Sequence, residues 1–211
     1  MAVSNVLICN LALQKVGQSR IVSLDEDNSN ARHCNVCFET LRDKELRSAM
    51  WNFSIKRATL AAHATTPDFT YSYAFPLPTD CLRLILPARL GLDWKIENHE
   101  GSPAILTNDG SSLEIRYVAK ITDPTKFDLN FVEMLACKIA WHLCEVVTQS
   151  NTKKDALRAE YLDAKREAKR LNAFERIPEE EPQDSWVAAR QQGSIYQTDR
   201  SWIIGSGGSG Y

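Results

Sequence analysis

The segment His33-Cys34-Asn35-Val36-Cys37 places an imidazole and two thiols within five residues, and His142 and Cys144 form a second group downstream. These residue types ligate zinc or run thiol redox chemistry when their spacing brings them together. The spacing does not require it. Cys34 and Cys37 are three apart and Cys137 and Cys144 are seven apart, inside stretches of helical periodicity. On a helix such intervals put side chains on one face, where thiols also serve as small apolar groups. A single CxxC with no second CxxC favours buried thiols, and we expect neither a metal nor a cofactor.

Carboxylates are the other candidate chemistry. Glu39, Asp43 and Glu45 crowd one predicted helix. Paired carboxylates cleave glycosides when they face each other across a cleft, but helical surfaces carry such residues without catalysis. GxSxG, GxGxxG, HExxH and the Walker phosphate loop do not occur. The four histidines, His33, His63, His99 and His142, stand apart in the chain, with His142 expected in the core or at its edge. The expectation is a protein that is not an enzyme.

The stretch "MWNFSIKRATLAA", residues 50–62, marks where periodicity changes. Before it lie two helical patterns. Ser4 caps the first, about Asn5 to Val16, and Gly17 stops it. The second runs from Asn28 or Ser29 to about Met50, with Ala31, Cys34, Cys37, Phe38 and Leu41 on its apolar side and Arg32, Glu39, Arg42, Asp43 and Lys44 mostly outside. After Trp51 the period falls to two. Short β patterns follow at Phe53 to Leu60, Tyr71 to Phe75, Leu82 to Leu86, Trp94 to Glu97, Ala104 to Thr107 and Leu113 to Val118. Asn108-Asp109-Gly110 reads as a hairpin turn.

The helical period returns with Val132, Leu135, Ala136, Ile139, Ala140, Leu143 and Val147, a helix apolar enough for the middle of a bundle, with Asp128 as its cap. A fourth helix is expected to start at a capping box of Thr152 and Asp155. It buries Leu157, Tyr161, Ala164, Ala168 and Leu171 and turns a charged, ion-paired face to solvent.

The expected fold class is α+β: a four-helix bundle (1–52 and 122–175), interrupted by a small antiparallel β insertion domain (53–121), with an extended C-terminal arm (176–211). Trp51 and Phe53 then fill the joint between bundle and β unit. The arm sets Trp186, Ile195, Tyr196, Trp202, Ile203 and Ile204 among Gly, Ser, Gln and Asp, and Gly205 to Gly210 is a flexible run. Aromatic side chains are uncommon in plain disorder, so these residues are expected to anchor the arm on another chain.

The 211 residues can bury a core without staples, and 44% hydrophobic with 25% charged residues is an ordinary globular mixture. The net charge of −2 gives no general pull toward nucleic acid or membrane. No basic arm and no aromatic residues interleaved with Lys and Arg on a strand suggest sequence-specific readout of nucleic acid. No apolar run is long enough to span a bilayer, and Met1 to Asn5 carry no positive charge of a signal peptide, so folding in a cytoplasm is the expectation.

The layout and three stretches resemble the head-to-tail adaptor proteins of tailed bacteriophages, in particular the tail tubular protein A type of short-tailed phages. The stretches are "ICNLALQKVGQSRIVSLDED", "ARHCNVCFETLRDKELRSAMWNFSIKRATLA" and "YAFPLPTDCLRL", and looser similarity runs to about residue 175. The resemblance implies a structural virion protein of the tail or neck, made in the host cytoplasm. Such proteins form rings, commonly dodecamers, beneath the portal protein. The ring extends the DNA channel and gives a platform for the tail nozzle or another tail protein, passing genomic DNA without sequence recognition. Helices and arm then meet portal and neighbouring subunits, away from the β unit. Two other classes remain open from the residues alone: a virion-associated cell-wall or polysaccharide hydrolase, and a metal-binding helical protein built on Cys34 and Cys37.

Overall fold

The computed structural model describes residues 3–87, 93–110, 112–148 and 150–175. Among them are four α-helices and six β-strands, an α+β chain with every strand between the second helix and the third.

Helix α1 (Asn5–Val16) starts where the Ser4 hydroxyl accepts from the Leu7 N–H, and ends at Gly17, whose φ of 81° is left-handed. The Lys153 ammonium donates to the Val16 carbonyl at 2.6 Å, placing a cation at that helix end. Helix α2 (Ser29–Ser48) starts at Asn28, whose side chain accepts from the Asn30 N–H. Its apolar side is the expected one, but Arg42 and Glu45 are also buried, at 1% and 2% exposure. That corrects the reading of Arg42 as an outward residue and of Glu45 as surface charge.

Helix α3 (Leu129–Thr148) buries half its length and packs against α1, α2 and α4. The Asp128 carboxylate accepts from the Asn130 N–H at its start. Helix α4 (Asn151–Phe174) is capped by Ser150, whose hydroxyl accepts from the Lys153 N–H. The cap therefore lies two residues before the expected Thr152: Ser150 already has the extended backbone a cap needs, while Thr152 is within the first turn. The helix buries Leu157, Tyr161 and Ala168, with Ala164 and Leu171 half-buried.

The strands are β1 (Ile55–Leu60), β2 (Tyr73–Pro76), β3 (Cys81–Pro87), β4 (Trp94–His99), β5 (Ser102–Thr107) and β6 (Leu113–Ala119). Phe53 falls in a short 3-10 turn, Asn52–Ser54, ahead of β1. The strands form two antiparallel three-stranded sheets, in the orders β1-β6-β3 and β2-β5-β4. Asn108 to Gly110 is thus not a hairpin turn, because β5 and β6 belong to different sheets. The tight turn lies instead between β4 and β5, at Glu100-Gly101, where both φ values are positive, 51° and 78°. That is the backbone a two-residue hairpin loop demands.

One apolar core runs from the helices through Trp51 to Phe75, Ile105, Leu113, Ile115 and Tyr117 of the sheets. Directly paired residues share a sheet face. Phe75 and Ile105 therefore point into this core, while Ala74, Leu106 and Ala104 lie on the opposite face of β2-β5-β4 and form a small second cluster with Tyr71.

Candidate functional site

The stretch at residues 50–62, where the periodicity changes, holds a densely bonded joint. Trp51 is 1% exposed and its indole N–H donates to the Glu45 carbonyl at 3.0 Å, where α2 ends. Its ring stacks on Phe53 at 6.4 Å and meets Phe131 edge-on at 5.2 Å. Phe127 closes the group, 5.9 Å from Phe53 and 5.2 Å from Phe131. Offset and edge-on contacts of this kind add to the burial of large rings. The chain leaving α2, the start of β1 and the first turn of α3 thus share one aromatic cluster.

Asn52 fastens the same joint to α4. Its backbone N–H donates to Asn172 Oδ1 at 2.8 Å, and its side-chain amide donates to the Asn172 carbonyl at 2.9 Å. Asn172 returns a bond from Nδ2 to the Met50 carbonyl at 3.0 Å. A cavity of about 180 Å³ lies beside it, lined by Trp51, Phe53, Phe127, Ala168, Asn172 and Glu175 among others. Asn172→Ala removes the acceptor of the Asn52 N–H and the donor to Met50. It is expected to cost about 1–2 kcal/mol, read as loss of hydrogen-exchange protection at the Asn52 amide.

The carboxylates of α2 are committed to structural partners. Glu45 accepts from the Tyr161 hydroxyl at 2.8 Å and from Lys165 at 2.7 Å, tying α2 to α4. Asp43 holds Arg42 at 2.9 Å and Lys120 at 3.1 Å. Glu39 stands exposed on the helix surface. Buried Arg42 packs over the Phe38 ring, and its Nη2 has no hydrogen-bond partner among the described residues. Lys138 lies over Trp141 and Tyr161, at 4.2 and 4.6 Å from the ring centres, and burial lowers its affinity for the proton. On α4, Arg166 pairs with Asp163 and Arg170 with Glu167 along the outer face.

The six thiols are free and five of them are buried. Burial pushes Cys37 up to about 12, with the neighbouring Cys34 adding to it. Cys9 is held high by its hydrogen bond to Cys34 and by burial. Cys37 and Cys9 therefore stay protonated near neutrality and are poor nucleophiles, whereas the hydrogen bond with Cys9 lowers Cys34 against the effect of burial. The proposed zinc set of His33, Cys34 and Cys37 with His142 and Cys144 does not converge among the described residues. His142 is exposed, which corrects its expected place in the core. The group of ligand atoms that does converge is Glu133, Cys137 and Glu160. Lys15 already occupies it, 2.7 Å from Glu133 and 2.6 Å from Glu160, so a fixed ammonium supplies the positive charge. This network joins α1 to α3 and α4.

Two histidines that the sequence sets far apart do meet. His63 and His99 pack edge to face with ring centres 5.2 Å apart, on the outer face of β2-β5-β4. The residues expected to anchor an arm, Trp186, Ile195, Tyr196, Trp202, Ile203 and Ile204, lie outside the described residues, as does Gly205 to Gly210. Among the described residues, no helix is long and apolar enough to cross a membrane. Comparison with protein-family models and with curated proteins finds no match for this chain.

Proposed function

We propose that this chain is a structural virion protein: a ring-forming head-to-tail adaptor that binds a phage portal protein, extends the DNA channel and gives a platform for the tail nozzle or another tail protein. In this reading the helices form a four-helix bundle, residues 53–121 are an inserted β domain, and residues 176–211 are an extended arm. Trp51 and Phe53 fill the joint, with no catalytic role and no cofactor. The observation that supports the reading most is that the stretch carrying the family likeness, residues 31–61, runs through α2, the aromatic joint and β1. It is spent on holding two layers together, as a framework protein requires.

A ring needs a heterologous interface that closes on rotation, so each subunit must offer two different faces. In this reading the charged outer face of α4 supplies one of them, and the arm reaches the other. The arm carries Trp186, Ile195, Tyr196, Trp202, Ile203 and Ile204 onto the portal or the neighbouring subunit. Each central aromatic anchor there is worth roughly 2 kcal/mol or more. Glu179-Glu180-Glu181 acts as a soluble hinge ahead of these anchors. DNA passes without sequence recognition, and no membrane is involved. The protein acts in the tail or neck of the virion after synthesis in the host cytoplasm.

The test mixes the full chain, and a chain ending at Arg176, with purified portal rings and images both by electron microscopy. The full chain is expected to add a ring of density below the portal. The shortened chain is expected to stay folded and leave portals bare. Portals decorated equally by both would remove the arm as the anchor, and portals bare with both would remove the adaptor reading.

A further inference from the structure

Residues 61–72 run from β1 to β2 without helix or strand and form a strap over the outer face of β2-β5-β4. Tyr71 of the strap covers Ala74, Ala104 and Leu106. Between strap and sheet is a cavity of about 240 Å³, whose walls include Asp68, Phe69 and Tyr71 on one side and Lys95, Glu97 and His99 on the other. The strap carries two signs of being held against its preference. Thr70 has a φ of 71°, a left-handed backbone that a β-branched residue adopts only at a cost. Phe69 is 81% exposed.

Its two ends are tied down by the His63 backbone N–H donating to the Ala74 carbonyl at 2.7 Å and the Ser72 N–H donating to Asn108 Oδ1 at 3.0 Å, and between these ties two imidazoles meet on one residue. The Thr65 N–H donates to His63 Nδ1 at 3.2 Å, and the Thr65 carbonyl bonds His99 Nε2 at 3.0 Å. The partners fix the proton positions. An amide N–H only donates, so His63 Nδ1 must carry a lone pair. A carbonyl only accepts, so His99 Nε2 must carry a hydrogen. This arrangement also argues against the pair as a metal site, because neutral His63 then has its hydrogen on Nε2 and offers no second lone pair.

We propose that Thr65, His63 and His99 form an acid-released latch on the strap. A proton added at His63 Nδ1 removes the acceptor and sets one N–H against another. His99 keeps its bond to the carbonyl when protonated, but two imidazolium rings with centres 5.2 Å apart then repel. The other ionisable groups facing the latch are Asp68 and Tyr71 from the strap and Lys95 and Glu97 from β4, with Glu100 next to His99 in the turn. Lys95 and Glu97 pair with each other at 3.1 Å. Release frees the middle of the strap, between the His63 and Ser72 backbone ties, and widens the cavity beneath it.

Hydrogen exchange on the full chain tests this at about pH 7.5 and about pH 5, with each amide corrected for its chemical exchange rate. The Thr65 to Tyr71 amides are expected to lose protection about three- to tenfold at acid pH, while α3 amides keep theirs. His63→Phe is expected to give low strap protection at both pH values. His99→Gln keeps the His63 bond and is expected to retain a smaller response. Strap protection that is equal at both pH values, or that falls only in step with α3, overturns the latch. So does a His63→Phe chain with the full wild-type response.

Discussion

Glu45→Ala is expected to lower the free energy of unfolding by about 3 kcal/mol, because it breaks a buried pair from one side. The Glu45 side chain is 2% exposed and Lys165 is 18% exposed. Without the carboxylate, Lys165 keeps one bond, to the Tyr161 oxygen at 2.9 Å, and Tyr161 loses its acceptor within the core. The lysine has some path to water, which places the cost at the lower end of the range for a broken buried pair. Glu45→Gln retains the shape and an acceptor for Tyr161, and is expected to cost about 1–2 kcal/mol less than alanine. Urea unfolding followed by circular dichroism reads both. A Glu45→Ala chain within about 0.5 kcal/mol of wild type would show that the α2–α4 tie carries no net stability.

The same tie has a pH signature. Burial pulls Lys165 down, but its hydrogen bonds to Glu45 and Tyr161 outweigh burial, and its affinity for the proton ends up raised. A group whose folded value lies above its unfolded one stabilises fully below the unfolded value and loses that contribution as pH rises through the folded one. The gap between wild type and Glu45→Ala should therefore hold from neutrality to about pH 10 and shrink above it. Lys15 shifts in the same direction: burial lowers it, and the bonds to Glu133 and Glu160 more than compensate. Tyr117, pushed up to about 12 by burial and by its bond to Asp80, adds to the alkaline loss.

What the sequence revealed and what it hid divides along the distance of the interactions. Ser4 and Gly17 bracket α1 because capping is local chemistry, written within a few residues of the helix end. The apolar stripe of α2 is equally local. Glu45 was misplaced because its partners are supplied by a distant segment: Tyr161 and Lys165 are more than a hundred positions away. A charged residue on an amphipathic pattern gives no sign that such a partner exists. Asn108-Asp109-Gly110 has the composition of a hairpin turn, yet composition fixes how a chain bends and not which strands pair afterwards. Gly101 was the informative glycine, and its only local sign was its place between two short β patterns. The meeting of His63 and His99 had no sequence signal, since it depends on a strap folding back over a sheet face.

Trp51→Ala is expected to cost about 3–5 kcal/mol, the largest loss from one apolar substitution in the joint. Three features set the size. The side chain is among the largest of the fully buried ones. It contacts both Phe53 and Phe131, so its removal unpacks the exit of α2 and the first turn of α3 together. The space it leaves adjoins the existing cavity beside Phe53 and Phe127, and enlarging a void costs in proportion to its volume. The lost indole hydrogen bond is the smaller part, because the Ser48 hydroxyl still donates to the Glu45 carbonyl at 2.9 Å. Trp51→Phe separates the two contributions: it keeps most of the ring contact and drops the donor, for an expected cost of about 1–2 kcal/mol. If alanine cost no more than phenylalanine, the indole would matter only as a hydrogen-bond donor, and the aromatic cluster would not be what holds the helices to the strands. If alanine costs several times more, the packing of four rings holds that joint, and Trp51 is its centre.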